Sequence, residues 1–438
     1  MNTLEQTTQL AIELIKQQKV SDFEISVGKS SGVSTTVRLS NVETLQYHLD
    51  TSFNVSVYIG KNKGQATSVD LSKASLKNAI ESACLIAKYT QEDPFNGLAP
   101  SERMAWDSPN LDLYYPWNLD AKQSIEIAKE CEQIALEQSE INNSDGAELS
   151  SFEGESVYAN SNGLIANLKS SRHSLYCSLI AKRGDEMQTA YEYSVAIDSN
   201  DLTAPSKIGL EAARLAQEKL GSRHLGPQKC PIIFTSRQSS GIFSQLLGAL
   251  SGSRQYKKTS FLLESLGSKV LPESISIYED PLKLKTLGSR AFDQDGVLKQ
   301  KQFFVEKGIV SSYLMGQYSA NQMGLESTAN AGGVSNCCVN SNFDGGITEL
   351  TKSMDRGLIV TDLMGHGVNA TTGDYSRGAS GFWVENGEIK YPVSGITIAG
   401  NLKDMLKNIV SIASDVDFRS NLKVGSTLIS EMTISGEG

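Results

Sequence analysis

The chain has 438 residues, too many for one ordinary hydrophobic core and suited to two. Its hydrophobic share of 39% and charged share of 21% are those of a soluble globular protein. A net charge of −10 argues against electrostatic capture of nucleic acid or anionic lipid, since both need clustered Lys and Arg; Lys257-Lys258, the one basic pair near a candidate site, reads as a solvated face.

The opening segment predicts an amphipathic helix with Leu4, Leu10, Ile12, Leu14 and Ile15 on its buried stripe. Glu5 and Glu13 interrupt any apolar leader core, and no run of ~18 apolar residues follows, so a cytoplasmic protein without a membrane span is expected. Residues 22–30, 34–49 and 54–60 alternate in the manner of strands. A helix is predicted over 71–89, capped by Asp70 or Ser72, with Leu76, Ile80, Cys84 and Ile86 at helical spacing. Residues 92–118 hold Pro94, Pro100, Pro109 and Pro116 and read as a connector laid over the surface. A helix over 120–139, strands over 148–162, 164–184 and 186–197, and a helix over 204–220 then echo the first part weakly, as two α+β halves around one sheet would.

Residues 221–229 are the best boundary, giving an N-terminal α+β domain over 1–225, with helices packed on an antiparallel sheet, and a β-rich domain over 226–438. After a strand at 230–236, helices are predicted over 236–250 and near 258–266. Beyond about residue 270 the pattern is almost wholly β. Two hairpins are expected, at Glu306-Lys307-Gly308 and at Glu385-Asn386-Gly387, the second carrying the Asn-Gly pair that tolerates positive φ. The C-terminal domain should be an antiparallel barrel or sandwich.

Few residues offer chemistry. Six cysteines, at 84, 131, 177, 230, 337 and 338, show no CxxC spacing and read as reduced, buried thiols. The four histidines, His48, His173, His224 and His366, are too far apart to share a helix, so no helical metal pair exists. Gly28-Lys29-Ser30 resembles the end of a phosphate loop, but Phe23 stands where that motif needs its first glycine. Asn336, Asn340, Asn342 and Asp344 have oxygen donors without the spacing of a calcium loop, and a plain turn-rich loop is preferred. The richest segment is 362–377, where Asp362, His366, Asp374 and Tyr375 accompany Thr371, Thr372, Ser376 and, just beyond, Ser380. A Ser–His–Asp site can be drawn there, yet no GxSxG elbow surrounds any serine. The preferred reading is a glycine-shaped loop with an Asp374–Arg377 ion pair, able to bind an extended peptide through backbone groups.

Long runs, Gly357–Met405 above all, with Gly288–Val297, Tyr256–Gly267 and Glu431–Gly436, resemble the TldD/PmbA family of peptide-processing proteins and, more closely, its PmbA (TldE) branch. The resemblance spans the whole chain. It implies a two-subunit metalloprotease that clips unfolded or leader peptides, in which a TldD-like subunit holds zinc through an HExxxH helix and a distant cysteine. On that pattern the ligand and base positions fall on Phe243, Ser244 and Gly248, and the late cysteine position falls in 415–421, which has no cysteine. Phe and Gly offer no lone pair, and the Ser hydroxyl does not ionise near neutrality. The expectation is therefore a metal-free subunit with no catalytic residue and no cofactor of its own. His366, Asn369, Thr372, Asp374, Tyr375 and Arg377 are its candidates for touching peptide or partner. A stand-alone hydrolase using the 362–377 loop, and a non-enzymatic peptide-binding homodimer, are the alternatives.

Overall fold

A computed structural model describes residues 3–436. The N-terminal part is built on one six-stranded antiparallel sheet. Its strands are β1 (Asp22–Arg38), β2 (Asn41–Ile59), β3 (Asn62–Ser68), β4 (Ile141–Asn160), β5 (Ile165–Arg183) and β6 (Glu186–Ala196), ordered β3-β2-β1-β4-β5-β6. The echo in the sequence is real as architecture: helix, three strands, helix occurs twice, and the two meanders join where β1 pairs with β4. Helices α1 (Leu4–Lys16) and α2 (Lys73–Tyr89) cover one half of a face, α3 (Ala121–Leu136) and α4 (Pro205–Glu218) the other.

Local chemistry sets the helix starts. Thr3 and Gln6 form a capping box on α1, and Asp120 and Gln123 form one on α3. Ser72 caps α2, while Asp70 braces Ser72 and Ser75 from outside the helix. The α2 stripe runs through Leu76, Ile80 and Cys84 as expected, but Ile86 is exposed. It sits two residues beyond Cys84, about 200° round the helix, and Ala83 and Ala87 hold the buried positions instead.

The connector over 92–118 runs over the surface for much of its length but is pinned at four buried points. Ala99, Met104, Ala105 and Leu111 are buried against Tyr158 and Leu164 on one side and Phe292 and Val297 on the other. It is the seam between the sheet's second face and the C-terminal part.

That part has two sheets. The smaller orders β10 (Ile309–Val310), β9 (Gln302–Glu306), β8 (Ile277–Glu279), β11 (Cys337–Val339) and β16 (Leu422–Lys423). The larger orders β14 (Glu388–Asn401), β13 (Asp374–Glu385), β12 (Arg356–Met364), β7 (Gln228–Phe234), β17 (Thr427–Gly436) and β15 (Ile409–Ile412), and closes into a barrel because β14 also pairs with β17. Both expected hairpins are present, with Glu306 opposite Ile309 and Glu385 opposite Glu388. Helix α5 (Ser236–Ala249) matches its prediction. The second helix does not: a short α6 (Gly252–Tyr256) stops early, and 258–266 is a chain of turns in which Lys258 and Glu264 take positive φ. The Gln255 side chain holds those turns by bonding Ala249 O, Leu262 O and Glu264 N. Short helices α7 (Gln317–Met323), α8 (Ile347–Lys352) and α9 (Leu402–Lys407) also interrupt the region read as almost wholly β.

The smaller sheet contains a buried ion pair. Lys299 Nζ lies 3.1 Å from Glu279 Oε1, with the side chains 1% and 0% exposed, and Glu279 also accepts from Gln302, Asn330 and the Ser335 N–H. Breaking it leaves a charge in the interior. Lys299→Met should lower unfolding stability by about 3–5 kcal/mol in denaturant titration, whereas a surface control such as Lys77→Met should change it by less than about 1 kcal/mol.

Acids meet at the seam. Glu24 of β1 accepts from Tyr58 and Tyr158, and burial raises its pKa despite Lys63. Asp293 is pushed up to about 7, by burial first and by the Asp295 charge second, against three backbone N–H donors. Its folded pKa exceeds the unfolded value, so the stability it contributes is full at acid pH and is lost as pH rises through about 7. The thermal midpoint should therefore fall from about pH 5 to 8, and Asp293→Asn should flatten that slope.

Candidate functional site

The barrel places α5 and the 362–377 loop together. Gln238, in the first turn of α5, donates to Thr361 O of β12, and the loop begins where β12 ends. On α5 the apolar residues Ile242, Phe243, Leu246 and Leu247 face the barrel core. Phe243 is wholly buried, Ser244 is exposed, and Gly248 is partly exposed. A Cβ on Gly248 would lie 3.7 Å from Arg254 Nη1, a buried nitrogen with no hydrogen-bond partner among the described residues.

The loop is braced rather than loose. Asn369 Oδ1 accepts from the Thr371 and Thr372 N–H groups, and Gly373 N–H closes back on Asn369 O. Ser376 N–H donates to Gly367 O, and Phe261 N–H donates to Ala370 O, tying the loop to the turns after α6. Asp374 takes Thr372 Oγ1 at 2.6 Å and Asn401 Nδ2 at 3.2 Å.

The expected Asp374–Arg377 ion pair does not form. The two residues are three apart on β13, and successive side chains of a strand alternate faces. Asp362 is held instead by Lys219, at 3.0 Å, just past the end of α4. His366 is exposed, and its ring makes no hydrogen bond to Asp362, Asp374 or a serine among the described residues. The groups drawn as a triad are thus not assembled as one. Tyr375 is 3% exposed and its hydroxyl has no partner. Burial pushes its pKa up to about 12, with Arg377 opposing; the Arg377 Nε is also buried and unpartnered.

The oxygen-rich segment is a turn network. Asn336 Oδ1 receives the Lys423 ammonium, Asn340 accepts from Ser276 N–H, and Asn342 accepts from Ile412 N–H.

Sequence reading missed the ionic cluster at 415–421. Arg419 pairs with Asp417 and with Glu192 of β6, and Arg237 of α5 pairs with the same Glu192 at 2.9 Å. Both guanidinium groups lie over the Tyr193 ring. Burial would raise the Asp417 pKa, but Arg419 and Arg237 outweigh it and hold it low. The charges were legible; their meeting across nearly 230 residues was not, because nothing local encodes it.

Comparison with known proteins decides the family. Residues 23–87, 114–220 and 227–436 match, in order, domain 1, the central domain and the C-terminal domain of the PmbA/TldA metallopeptidases. A Metalloprotease PmbA homolog from Haemophilus influenzae is 44% identical over 99% of this chain and 96% of that protein.

The chain belongs to the PmbA/TldD family, in its PmbA branch.

Metalloprotease PmbA of Escherichia coli O157:H7 is 41% identical, again over 99% of this chain and 96% of that protein. A Metalloprotease TldD homolog from Buchnera aphidicola is more distant, 23% identical over 84% of this chain and 80% of that one. Among crystal structures, a protein from Bacteroides thetaiotaomicron superposes with a TM-score of 0.92 at 26% identity, covering 99% of each chain. TldE from Thermococcus kodakarensis has the same fold, with a TM-score of 0.85 at 21% identity over 98% of this chain and 100% of that one.

The PmbA/TldD name implies a metal. The residues on α5 do not fit one, since Phe243 points into the core and Gly248 has no donor. Among the described residues, no three His, Cys, Asp or Glu side chains converge as a ligand set. No step through a metal on this chain follows.

Loop shape depends on Gly367, where a Cβ would sit 1.8 Å from Ser376 O. Gly367→Ala should break the Ser376–Gly367 hydrogen bond and cost about 1–3 kcal/mol of stability, read as faster amide exchange at Ser376 and a lower unfolding midpoint.

Proposed function

We propose that this chain is the metal-free subunit of a two-chain cytoplasmic metalloprotease, paired with a TldD-like HExxxH subunit that holds the zinc. Its work is to complete the dimer and to bind an unfolded or leader peptide in extended form. The observation that carries the reading is α5. This helix keeps its place against the barrel, yet a wholly buried phenyl ring stands at the first ligand position. A helix retained without its donors argues for a role in shape.

The 362–377 loop is the proposed contact region, through His366, Asn369, Thr372, Asp374, Tyr375 and Arg377. Exposed His366, with the unpartnered Tyr375 hydroxyl and Arg377 Nε, offers hydrogen-bonding groups that no described residue uses, and exposed Thr372 shares its hydroxyl with Asp374. The names of the relatives support proteolysis as the activity of the assembly. The free state of all the cysteines suits a reducing compartment.

Co-expression with the HExxxH relative from the same genome tests the proposal. Casein or an unfolded peptide should be cleaved by the mixture and by neither subunit alone. Zinc should travel with the relative. Stoichiometric zinc on this chain, or turnover by this chain alone, would defeat it. Replacing His366 with Ala in the mixture should raise KM more than it lowers kcat, as loss of a binding group does.

A further inference from the structure

One cavity lies away from α5 and the 362–377 loop. It has a volume of about 300 Å³ and sits where the lower part of β5 meets the segment 286–290. Arg172 and Arg290 line it, and not one Asp or Glu does. Both guanidinium groups are exposed, and neither makes an ion pair or a side-chain hydrogen bond among the described residues.

Ser289, next to Arg290 in the chain, lines the same cavity. It is 8% exposed, and its hydroxyl is buried without a hydrogen-bond partner. A buried hydroxyl left without a partner is costly, and a carboxylate oxygen in the cavity would satisfy it. Asn421 and Ser335 add polar walls. Gly288, with φ of +86°, lets Asn421 approach: a Cβ there would lie 2.7 Å from Asn421 Oδ1. Gly288-Ser289-Arg290 also opens the run Gly288–Val297, whose head has no part in the site described above.

The cavity adjoins a larger one of about 940 Å³, with which it shares Leu113, Ser170, Ser289 and Arg290. The larger one extends over the middle of the N-terminal sheet, floored by Gly28, Ser52, Gly154 and Ser156, with Lys29 and Lys169 as well as Asp50, Asp112 and Glu155 in its lining. An extended chain fits along such a floor, with its charge held at the end.

We propose that this cavity is a carboxylate site, in which Arg172, Arg290 and the Ser289 hydroxyl hold a carboxylate of a peptide lying along the N-terminal sheet. Arginine suits the task because its planar fork matches a carboxylate bidentately. The inference rests on the reading of the chain as a peptide-binding subunit, and it names a class of substrate: peptides with acidic side chains or a free C-terminal carboxylate.

Fluorescence anisotropy on the full chain tests it with three labelled unfolded peptides of equal length. One carries Glu residues and an amidated end, one has Gln in their place and a free C-terminus, and one has Gln and an amidated end. At least one carboxylate-bearing peptide should bind roughly tenfold more tightly than the neutral one, and which of the two does so identifies the source of the carboxylate. The double variant Arg172→Gln, Arg290→Gln should erase that preference and leave the neutral peptide unaffected; both residues are on the surface, so the fold should survive, as circular dichroism would verify. Ser289→Ala should reduce the preference in part. Equal binding of all three peptides, or a preference that survives in the double variant, overturns the carboxylate site while leaving peptide binding intact. No binding of any peptide overturns both.

Discussion

Closure of the C-terminal barrel is the constraint on which the rest depends. Residues 396–399 of β14 pair with 433–436 of β17, so the last strand of the chain locks a ring whose other members are β7, β12 and β13. The ring has no open edge at that point and contributes to the largest apolar cluster, which it shares with α5 and the smaller sheet. Helix α5 is fixed because its apolar face belongs to that cluster. The 362–377 loop is fixed because both its ends are barrel strands. Position at the site is thus a product of packing that happens elsewhere.

Much of this was legible from residues alone. The Asn386-Gly387 hairpin was, because both turn residues take positive φ with little strain. The doubled helix–strand–helix order was, because periodicity changes from 3.6 to 2 and back along the chain. What escaped reading was decided at a distance. The connector looked like surface because proline and polar residues dominate it, yet four apolar side chains in it find partners on Phe292 and Val297. The 258–266 segment looked helical by its leucines; Gln255, a few residues before, captures its backbone and turns it instead. The runs of the 362–377 segment announced a family, but the isolation of His366 from its acidic neighbours needed coordinates.

Where the family resemblance puts metal ligands, this chain puts cations and aromatic rings. Arg254 lies beside Gly248, and Arg237 and Arg419 converge on Glu192 over Tyr193. These groups join α5 to β6 and to the segment 415–421, and so tie the N-terminal sheet to the barrel. An ion bound by protein ligands can cross-link distant segments. Here guanidinium groups make the cross-links between those segments.

The buried connector has a consequence for how such a protein can be divided. Met104 and Leu111 complete a core to which Tyr158 comes from one part and Phe292 from the other. A fragment ending near residue 225 would present those side chains to water as a sticky stripe. Recombination that exchanged one part between relatives would have to carry the matching seam with it.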